Sequence, residues 1–367
     1  MNITLLIPRY AITGVPLAQI KLAQAFANRG NNVTLIFTYS EPIYDLPKIA
    51  NIKIICWNVP KVRNTFSNIF CYLKSHKPDI VFSAEDHLNV IVLLAAIVSG
   101  SRSKISCSSR VTPYDTYSTK IFTKRWFLKL FANMVSYRAD ALTCVSKDMV
   151  LQYKNVLGSS RHICIYNIVC NTKSQFDMSE LVTHPWFEDR RFPIIIAAGR
   201  LAPWKGFSTL IEAISILHKR RPVRLLILGD GPQKSELKNM VDGYALSDYV
   251  EFAGYVTNPL KYFKKSDVFV LSSLVEGMPN VLVQAMMCGC TPVSTNCPTG
   301  PSELLQNGKY GYLIPIQNPA AMADAIEHAL ESPISKDLLD EAILPFHEDR
   351  VIQQHFESLG LCEKSYT

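Results

Sequence analysis

The sharpest local signal in the sequence is VFVLSSLVEGMPNVLVQAMM, residues 268–287. Its apolar start predicts a buried strand at 268–271, Gly277 and Pro279 predict a tight turn, and a helix is predicted from about Asn280. The free N–H groups and positive dipole end of such a helix suit a diphosphate. Glu276 can accept hydrogen bonds from sugar hydroxyls, and the Gln284 amide can bind ribose hydroxyls. Strand–loop–helix units are common, so the stretch alone indicates a plausible phosphate site and does not identify the ligand or the reaction.

The same alternation of short apolar strands and helices continues on both sides of this stretch. Strands are predicted at 3–7, 33–38, 52–56, 79–83, 105–108, 141–145, 194–198, 224–228, 250–252, 268–271 and 291–294, and helices at 14–28, 88–99, 207–220, 234–241, 281–287, 320–330 and 349–359. Such alternation predicts an α/β fold with parallel sheets and helices on both faces. Residues 171–192 carry no clear period and are interpreted as a linker between two doubly wound domains. Ligands are then expected beyond the carboxyl ends of the strands.

Composition and charge exclude several classes of protein. The 367 residues are 48% hydrophobic, which is too apolar for a disordered chain. The ten cysteines are scattered and lack zinc-site spacing, so we interpret them as reduced thiols of a cytoplasmic protein. The N-terminus is not a signal peptide and no apolar run is long enough to span a membrane, which predicts a soluble or peripheral protein.

The net charge of +7 is unevenly distributed. Residues 1–172 hold 20 Lys and Arg against 8 Asp and Glu, whereas residues 173–367 hold 18 against 23. A basic first half suits an anionic surface or substrate. Nucleic-acid binding would rest on this charge alone, without a recognised motif, so no nucleic-acid partner is expected.

Two further motifs follow predicted strands. Arg200 and Lys205 come after strand 194–198, where two cations can neutralise a departing diphosphate, although solvated surface cations explain them equally well. Residues 229–232, Gly-Asp-Gly-Pro, follow strand 224–228 and are better explained as an ordinary turn between strand and helix.

The order of these motifs is more informative than any one of them. The segments Gly199–Gly206, Gly229–Pro232, Phe252–Tyr255, Ser266–Val268, Glu276–Gln284 and Cys288–Ser294 together resemble the retaining glycosyltransferases of family 4. In the first half, the loop at Gly14, residues 77–81, residues 139–141 and Val145-Ser146 also match. The segment Asn296–Glu303 resembles a loop of bacterial members that build surface polysaccharides, which favours a UDP-sugar.

The resemblance implies the GT-B fold, in which two Rossmann-like domains face each other across a cleft. It assigns residues 1–172 to acceptor binding and residues 193–345 to donor binding, with a C-terminal helix at 346–367 packing back on the first domain. The implied reaction is transfer of a hexose or N-acetylhexosamine from a nucleotide diphosphate sugar to a glycan. The expected pathway is polysaccharide, O-antigen or capsule biosynthesis. The charge of the basic first half favours an acceptor glycan that is linked to a polyprenyl diphosphate or another lipid. A GT-B sugar-nucleotide epimerase and a non-catalytic nucleotide-sugar-binding protein are the alternatives.

The resemblance also implies roles for individual residues. Glu276, Arg200 and Lys205 are the expected catalytic residues, with no cofactor and no metal, because the two cations replace the charge of a metal ion. The expected donor-binding residues are Gly14, Arg200, Lys205, Tyr255, Val256, Glu276, Gly277, Met278, Pro279, Asn280, Val281, Leu282 and Gln284.

Three positions depart from the family pattern. Gln284 stands where the family usually has a second Glu, and an amide suits binding but not proton transfer. Arg110 stands where many members have a His, and we expect it to position the acceptor. Gly14 is all that remains of a longer glycine-rich loop.

The sequence contains fewer features that indicate where the acceptor binds. His87 follows strand 79–83 and can touch the acceptor, although a structural role explains it better. Residues 120–131 mix cations with large apolar residues. They predict either a basic amphipathic helix in peripheral contact with the inner face of the cytoplasmic membrane or an ordinary helix with one core face.

Overall fold

The computed structural model describes residues 1–43, 45–158 and 161–361. The chain forms two compact units. Unit 1 comprises residues 1–168 and the described residues from 348 onward, and unit 2 comprises residues 169–347. Each unit is an α/β structure with one parallel sheet, which confirms the predicted fold class.

Unit 1 is built on a seven-stranded sheet in the order β3-β2-β1-β4-β5-β6-β7. The strands are β1 (Asn2–Ile7), β2 (Asn32–Phe37), β3 (Ile52–Cys56), β4 (Ile80–Ala84), β5 (Lys104–Ser109), β6 (Ala141–Cys144) and β7 (His162–Cys164). The helices are α1 (Gly14–Asn28), α2 (Phe66–His76), α3 (Asp86–Ser99), α4 (Pro113–Thr116), α5 (Lys124–Val135), α6 (Lys147–Leu157) and, after the whole of unit 2, α16 (Glu348–Ser358). Alternate residues of a strand enter different cores, as Leu5 and Leu6 do, because both sheet faces are covered.

Helix α16 belongs to unit 1 through its apolar face. Val351, Ile352 and Phe356 join the same core as α1, and the Phe356 ring meets Phe26 edge-on at 5.5 Å. Arg29 Nη1 lies 2.8 Å from Glu348 Oε1 at the edge of this contact. The predicted C-terminal helix was drawn to residue 367, and its last part, 362–367, lies outside the described residues.

Unit 2 is built on a six-stranded sheet in the order β10-β9-β8-β11-β12-β13. The strands are β8 (Ile194–Ala198), β9 (Arg224–Leu228), β10 (Val250–Gly254), β11 (Val268–Leu271), β12 (Thr291–Thr295) and β13 (Tyr312–Ile314). The helices are α7 (Thr172–Ser179), α8 (Pro185–Glu188), α9 (Phe207–His218), α10 (Lys234–Gly243), α11 (Leu260–Phe263), α12 (Asn280–Met287), α13 (Pro301–Leu304), α14 (Pro319–Glu331) and α15 (Lys336–Ile343). Its strands β8, β9 and β11 have the predicted bounds.

Several regions differ from the sequence-based expectation, and the helices α2, α6 and α15 were not predicted. Residues 171–192 are not an irregular linker, since they contain α7 and α8, whose first turns are capped by the side chains of Asn171 and His184. The segment belongs to unit 2. Strands β7 and β13 were missed, since each has three residues and too short a run for a period. The helix expected over 120–131 spans Lys124–Val135 instead, because Thr123 caps its start.

The described residues contain no helix with the length and apolar character that crossing a bilayer requires. The nine cysteines among them are all free, and the tenth, Cys362, falls outside this set.

Each sheet has a point where the strand order reverses. In unit 1 the chain moves outward from β1 to β3 and then restarts on the other side of β1 at β4. In unit 2 the same reversal occurs between β8 and β11. Open parallel sheets bind ligands in the crevice beyond the strand ends at such a point, so these two places position the candidate site residues.

Candidate functional site

Two loops meet at the reversal point of unit 2. The first, 199–206, follows β8, and the second, 272–279, follows β11, which pairs directly with β8. The Ser272 hydroxyl donates to the Lys205 carbonyl at 2.8 Å, and the Leu274 N–H donates to the Trp204 carbonyl at 2.8 Å. These bonds hold together the loop of Arg200 and Lys205 and the loop of Glu276, which are about 70 residues apart in the sequence.

An ion pair joins the two loops through their functional side chains. Lys205 Nζ lies 2.6 Å from Glu276 Oε1, and the Ser273 hydroxyl donates to the same oxygen at 2.6 Å. The Lys205 and Glu276 side chains are only 21% and 12% exposed, so bulk water screens their attraction less than that of a surface pair. Glu276 Oε2 makes no hydrogen bond within the described part of the chain, which leaves it available to hydroxyl donors.

A glycine fixes the approach of the two loops. Gly206 has φ of +63°, and a Cβ atom there would lie 2.1 Å from the Ser272 carbonyl oxygen. Only glycine allows both this conformation and this contact. Gly206 thereby ends the first loop immediately before α9, one residue after Lys205.

The motif at 229–232 supports the first loop from the other side. A Cβ atom on Gly229 would lie 1.9 Å from the Gly199 carbonyl oxygen, and the Leu201 N–H donates to the Asp230 carbonyl at 2.9 Å. The Asp230 carboxylate pairs with Lys234 at 2.8 Å, which lowers the pKa of Asp230. The motif is therefore a packed turn that carries the loop of Arg200.

The second loop leads into the N-terminus of α12. Pro279 occupies the N-cap position and supplies no side-chain cap. The Asn280 and Leu282 N–H groups bond the carbonyls of Met278 and Pro279, whereas those of Gly277 and Val281 have no backbone partner among the residues described. This end of the helix can receive an anion. Gln284 is half-buried, one turn further along α12.

Other expected donor-site residues lie further away. Arg200 is exposed and, as far as the structure describes the chain, forms no ion pair. Tyr255, 62% exposed, and Val256 follow β10, which is three strand positions from β11. At about 4.8 Å per strand, this places them roughly 14 Å from the Glu276 loop. The loops of unit 2 thus form a row along one sheet edge.

The structure adds a segment that sequence reasoning did not assign to the site. We call residues 297–300, which follow β12, the strap. Thr299 Oγ1 donates a hydrogen bond to the Glu276 carbonyl, and a Cβ atom on Gly300 would lie 2.9 Å from the Gly277 carbonyl oxygen. Burial and the Glu276 charge raise the pKa of Cys297 to about 11. One sequence signal pointed to this segment, the resemblance of Asn296–Glu303 to a loop of bacterial family members, but its place beside the loop after β11 follows from the sheet order.

In unit 1, the expected acceptor residues lie at neighbouring strand ends. His87 follows β4, with its Nε2 3.6 Å from Glu85 Oε2, and burial lowers its pKa. Arg110 follows β5 and donates to Asn167 Oδ1. Burial lowers the pKa of Arg110 to about 10, and its Nε is buried without a partner in the described ranges. Glu85 has φ of +76° and a pKa that burial and the Asp86 charge raise.

Gly14 also lies at the reversal point of unit 1, as the first residue of α1. It is exposed, and a Cβ atom there would meet nothing within 4 Å. A glycine is therefore not required by the fold at this position. Across the described residues, no group of three or more His, Cys, Asp or Glu side chains is placed to hold a metal ion.

Known glycosyltransferases are similar in sequence to the part of the chain that contains the two loops, α12 and the strap. The model of the family "Glycosyl transferases group 1" matches residues 184–343, which contain both loops, α12 and the strap. An uncharacterized glycosyltransferase of Methanocaldococcus jannaschii is 25% identical over 336 residues, covering 83% of this chain and 79% of the relative.

Two further relatives have assigned names. The N-acetylgalactosamine-N,N'-diacetylbacillosaminyl-diphospho-undecaprenol 4-alpha-N-acetylgalactosaminyltransferase of Campylobacter jejuni is 33% identical over 246 residues, covering 66% of this chain and 64% of that protein. The amylovoran biosynthesis glycosyltransferase AmsD of Erwinia amylovora is 26% identical over 302 residues, covering 81% of this chain and 80% of that protein.

Solved structures show the same fold. Anabaena HepE in complex with UDP superposes with a TM-score of 0.76 at 19% identity, covering 98% of this chain and 100% of HepE. The apo lipopolysaccharide outer core galactosyltransferase WaaB gives a TM-score of 0.76 at 18% identity, covering 98% of this chain and 99% of WaaB. The fold is therefore GT-B, and the sequence matches support a glycosyltransferase.

Proposed function

We propose that the protein is a retaining glycosyltransferase that moves a hexose or N-acetylhexosamine from a UDP-sugar to a glycan acceptor. The observation that carries this proposal is the Lys205–Glu276 pair, which joins two loops at the reversal point of a sheet. The group 1 family match covers the same residues. A half-buried pair that leaves one carboxylate oxygen without a partner among the described residues is suited to hold a polar ligand in one orientation.

The donor is proposed to lie along the sheet edge of unit 2. The N-terminus of α12 would receive the diphosphate, the free Glu276 Oε2 would accept from sugar hydroxyls, and Gln284 would bind the ribose. Tyr255 and Val256 would hold the base. Structures of HepE contain UDP, and one contains UDP and glucose, which supports a UDP-sugar as the donor of this chain.

In the proposed reaction, the bond between the sugar C1 and the phosphate oxygen breaks, and a bond from C1 to the acceptor oxygen forms on the same face. The acceptor proton passes to the departing phosphate oxygen. Lys205 and Arg200 would neutralise the diphosphate as it leaves, a role that needs neither a metal nor a cofactor. Lys205 would exchange its bond with Glu276 for one with the phosphate.

The acceptor is proposed to be a lipid-linked glycan bound by unit 1, near Arg110 and His87. The Campylobacter relative is named for an undecaprenol-linked substrate, AmsD for amylovoran biosynthesis, and WaaB for the lipopolysaccharide outer core. These names support work in polysaccharide or lipopolysaccharide biosynthesis. The proposed location is the inner face of the cytoplasmic membrane. Contact with that membrane through residues 120–131 is part of the proposal.

Binding of nucleotide sugars tests the donor. A thermal-shift screen of UDP-, GDP- and ADP-sugars is expected to raise the melting point with UDP-sugars most, because a ligand of the native state stabilises it. Release of UDP in the presence of EDTA, with the anomeric configuration of the product read by NMR, then tests the reaction. Binding without turnover would favour a non-catalytic protein, and conversion of the nucleotide sugar without transfer would favour an epimerase.

A further inference from the structure

Glu85 has a backbone conformation that residues with a Cβ atom disfavour. Its φ is +76° and its ψ is +133°, outside the regions that such residues occupy without strain. Glycine is the usual residue at positive φ, yet the sequence has a long carboxylate side chain here. Glu85 lies between β4 and α3, at the reversal point of unit 1. Strain of this kind is concentrated at functional sites.

Neighbouring residues hold this conformation in place. The Glu85 N–H donates to the Ser108 carbonyl at 2.9 Å, which ties it to the end of β5. The next residue, Asp86, is 8% exposed, and its carboxylate accepts hydrogen bonds from the Ser109 and Tyr153 hydroxyls. The fold therefore fixes the direction in which the Glu85 side chain leaves the backbone.

No hydrogen bond within the described part of the chain explains where the Glu85 side chain lies. It does not cap α3, its carboxylate accepts no hydrogen bond from the described residues, and His87 Nε2 is 3.6 Å from its Oε2. The side chain is only 30% exposed. Burial raises the pKa of Glu85, with a smaller contribution from the Asp86 charge. A half-buried carboxylate without donors is a group that a ligand can satisfy.

The charges around Glu85 select a neutral ligand. Arg110 and Arg9 lie close enough to oppose the rise in the pKa of Glu85, so they would also repel a cation. Glu85 and Asp86 would repel an anion. Within the described ranges, Arg110 Nε is a buried donor without a partner. A sugar ring is neutral, and its hydroxyls both donate and accept, so it suits a carboxylate that lies beside an unused donor.

We propose that Glu85 is an acceptor-binding residue, whose carboxylate accepts a hydrogen bond from a ring hydroxyl of the acceptor sugar. The inference rests on the proposed function and deepens it, because it adds a carboxylate to the acceptor site formed near Arg110 and His87. Glu85 orients the acceptor, and the acceptor proton still passes to the departing phosphate oxygen. Because the strained backbone fixes the side chain in advance, binding costs little additional ordering.

Binding of simple sugars to the full chain in the presence of UDP tests the inference. The probes are the methyl glycosides of glucose, galactose, N-acetylglucosamine and N-acetylgalactosamine, with Kd measured by saturation-transfer NMR. The wild type is expected to bind at least one of them, and Glu85→Gln should weaken that binding about tenfold, the loss of a hydrogen bond to a charged group. Glu41→Gln is the matched control, because Glu41 is a carboxylate of unit 1 that pairs with Arg9 on the surface. It should bind the glycosides as the wild type does.

Glu85→Gly separates a ligand-binding residue from a structural one. Loss of the Cβ atom relieves the strain, so the melting point should rise by about 2–4 °C, while the Kd of the glycoside should rise at least tenfold. Lys77→Gly is the control, because Lys77 has φ of +44° near the other end of β4. It should also stabilise the protein but leave glycoside binding unchanged. The inference is overturned if either Glu85 variant binds as the wild type does, or if the wild type binds none of the glycosides.

The response to nucleotide sugars separates this inference from the proposed function. UDP-sugars should raise the melting point of Glu85→Gln as much as that of the wild type, because the donor residues lie in unit 2. Glycoside binding that depends on Glu85, without any response to nucleotide sugars, would refute the proposed function and leave the sugar site standing. A response to UDP-sugars together with glycoside binding that ignores Glu85 would do the reverse.

Discussion

Lys205 and Glu276 lie 71 residues apart in sequence, yet their charged groups are 2.6 Å apart at the point where the strand order of unit 2 reverses. The Ser273 hydroxyl binds the same carboxylate oxygen. Because this oxygen has two donors, the carboxylate is fixed in orientation while Oε2 stays open. The pair therefore places Lys205, the proposed cation for the leaving group, next to Glu276, the proposed acceptor for sugar hydroxyls. Each residue can be tested separately by mutation.

Lys205→Ala should reduce turnover far more than donor affinity. If Lys205 meets charge that develops on the departing diphosphate, its loss removes stabilisation of the transition state, and kcat should fall about 10²- to 10³-fold. The Kd of UDP-sugar, measured by calorimetry, should change by much less. Turnover close to the wild-type value in Lys205→Ala would refute the role assigned to this residue.

Lys234→Ala is the matched control for this change. Lys234 also pairs with a carboxylate, that of Asp230, after the neighbouring strand β9. Its removal should leave both kcat and donor affinity within about twofold of wild type, because water screens an exposed pair of this kind and its contribution is small. An equal effect of both variants would mean that the charge of the whole edge matters and not the position of Lys205.

Glu276→Gln and Gln284→Ala should weaken the binding of different parts of the donor, the sugar and the ribose. Glu276→Gln keeps the size of the side chain but weakens its acceptance of sugar hydroxyls, so affinity should fall for UDP-sugar and not for UDP. Gln284→Ala should weaken both ligands equally, by about tenfold, the cost of one or two lost hydrogen bonds. A Gln284→Ala variant that lost turnover alone would contradict a binding role for this amide.

Lys205, Glu276 and the strap show how much of the candidate site can be predicted from the sequence alone. The strand-end rule and the order of motifs identified Lys205 and Glu276, because both follow buried strands whose carboxyl ends share one edge. Nothing in the sequence set their distance, since that depends on the pairing of β8 with β11 across 70 residues. The strap was missed for the same reason: its relation to Glu276 follows from sheet order and not from spacing.

Helix α5 shows a different limit of sequence reasoning. Its periodicity predicts two faces, and the usual expectation is that the more apolar face enters the core. In the structure Leu128, Ala132 and Val135 enter it, and Phe127 and Phe131 do not. Periodicity identifies which residues share a face, but only tertiary packing decides which face is covered.

Two glycine substitutions should separate a structural glycine from a replaceable one. Gly206→Ala forces a Cβ atom to within 2.1 Å of the Ser272 carbonyl at φ of +63°, and it should destabilise unit 2 by about 2–4 kcal/mol. Gly14→Ala meets nothing within 4 Å and should leave stability within about 0.5 kcal/mol. Urea unfolding measures both, and equal effects would contradict the geometry of the loops.

The strap should position Glu276 through Thr299. Thr299→Val removes the hydroxyl that bonds the Glu276 carbonyl while keeping the side-chain shape, and it should lower kcat/KM for UDP-sugar about fivefold to tenfold. The affinity for UDP should not change, because the diphosphate contacts lie on α12. Thr299→Ser retains the hydroxyl and should restore kcat/KM. If Thr299→Ser fails to restore it, the hydroxyl is not the group that matters.

Acid should destabilise unit 1 through His355. Burial, with a smaller effect of the Arg110 charge, lowers the pKa of His355 to about 3, against 6.5 in an unfolded chain. Between these values the unfolded state binds the additional proton, so stability falls as pH falls from about 6.5, by about 1.4 kcal/mol per pH unit for this one group. At pH 5 the contribution amounts to about 2 kcal/mol.

His355→Leu should remove that contribution and flatten the dependence of stability on pH. Glu85 and Asp86 act in the opposite direction, because their raised pKa values favour the folded state on protonation, but both remain in the variant and cancel in the comparison. Urea unfolding of the wild type and of His355→Leu at pH 8, 6 and 5 gives the difference. The two proteins should diverge below about pH 6.5, and parallel curves would show that His355 takes up its proton in the folded state as readily as in the unfolded chain.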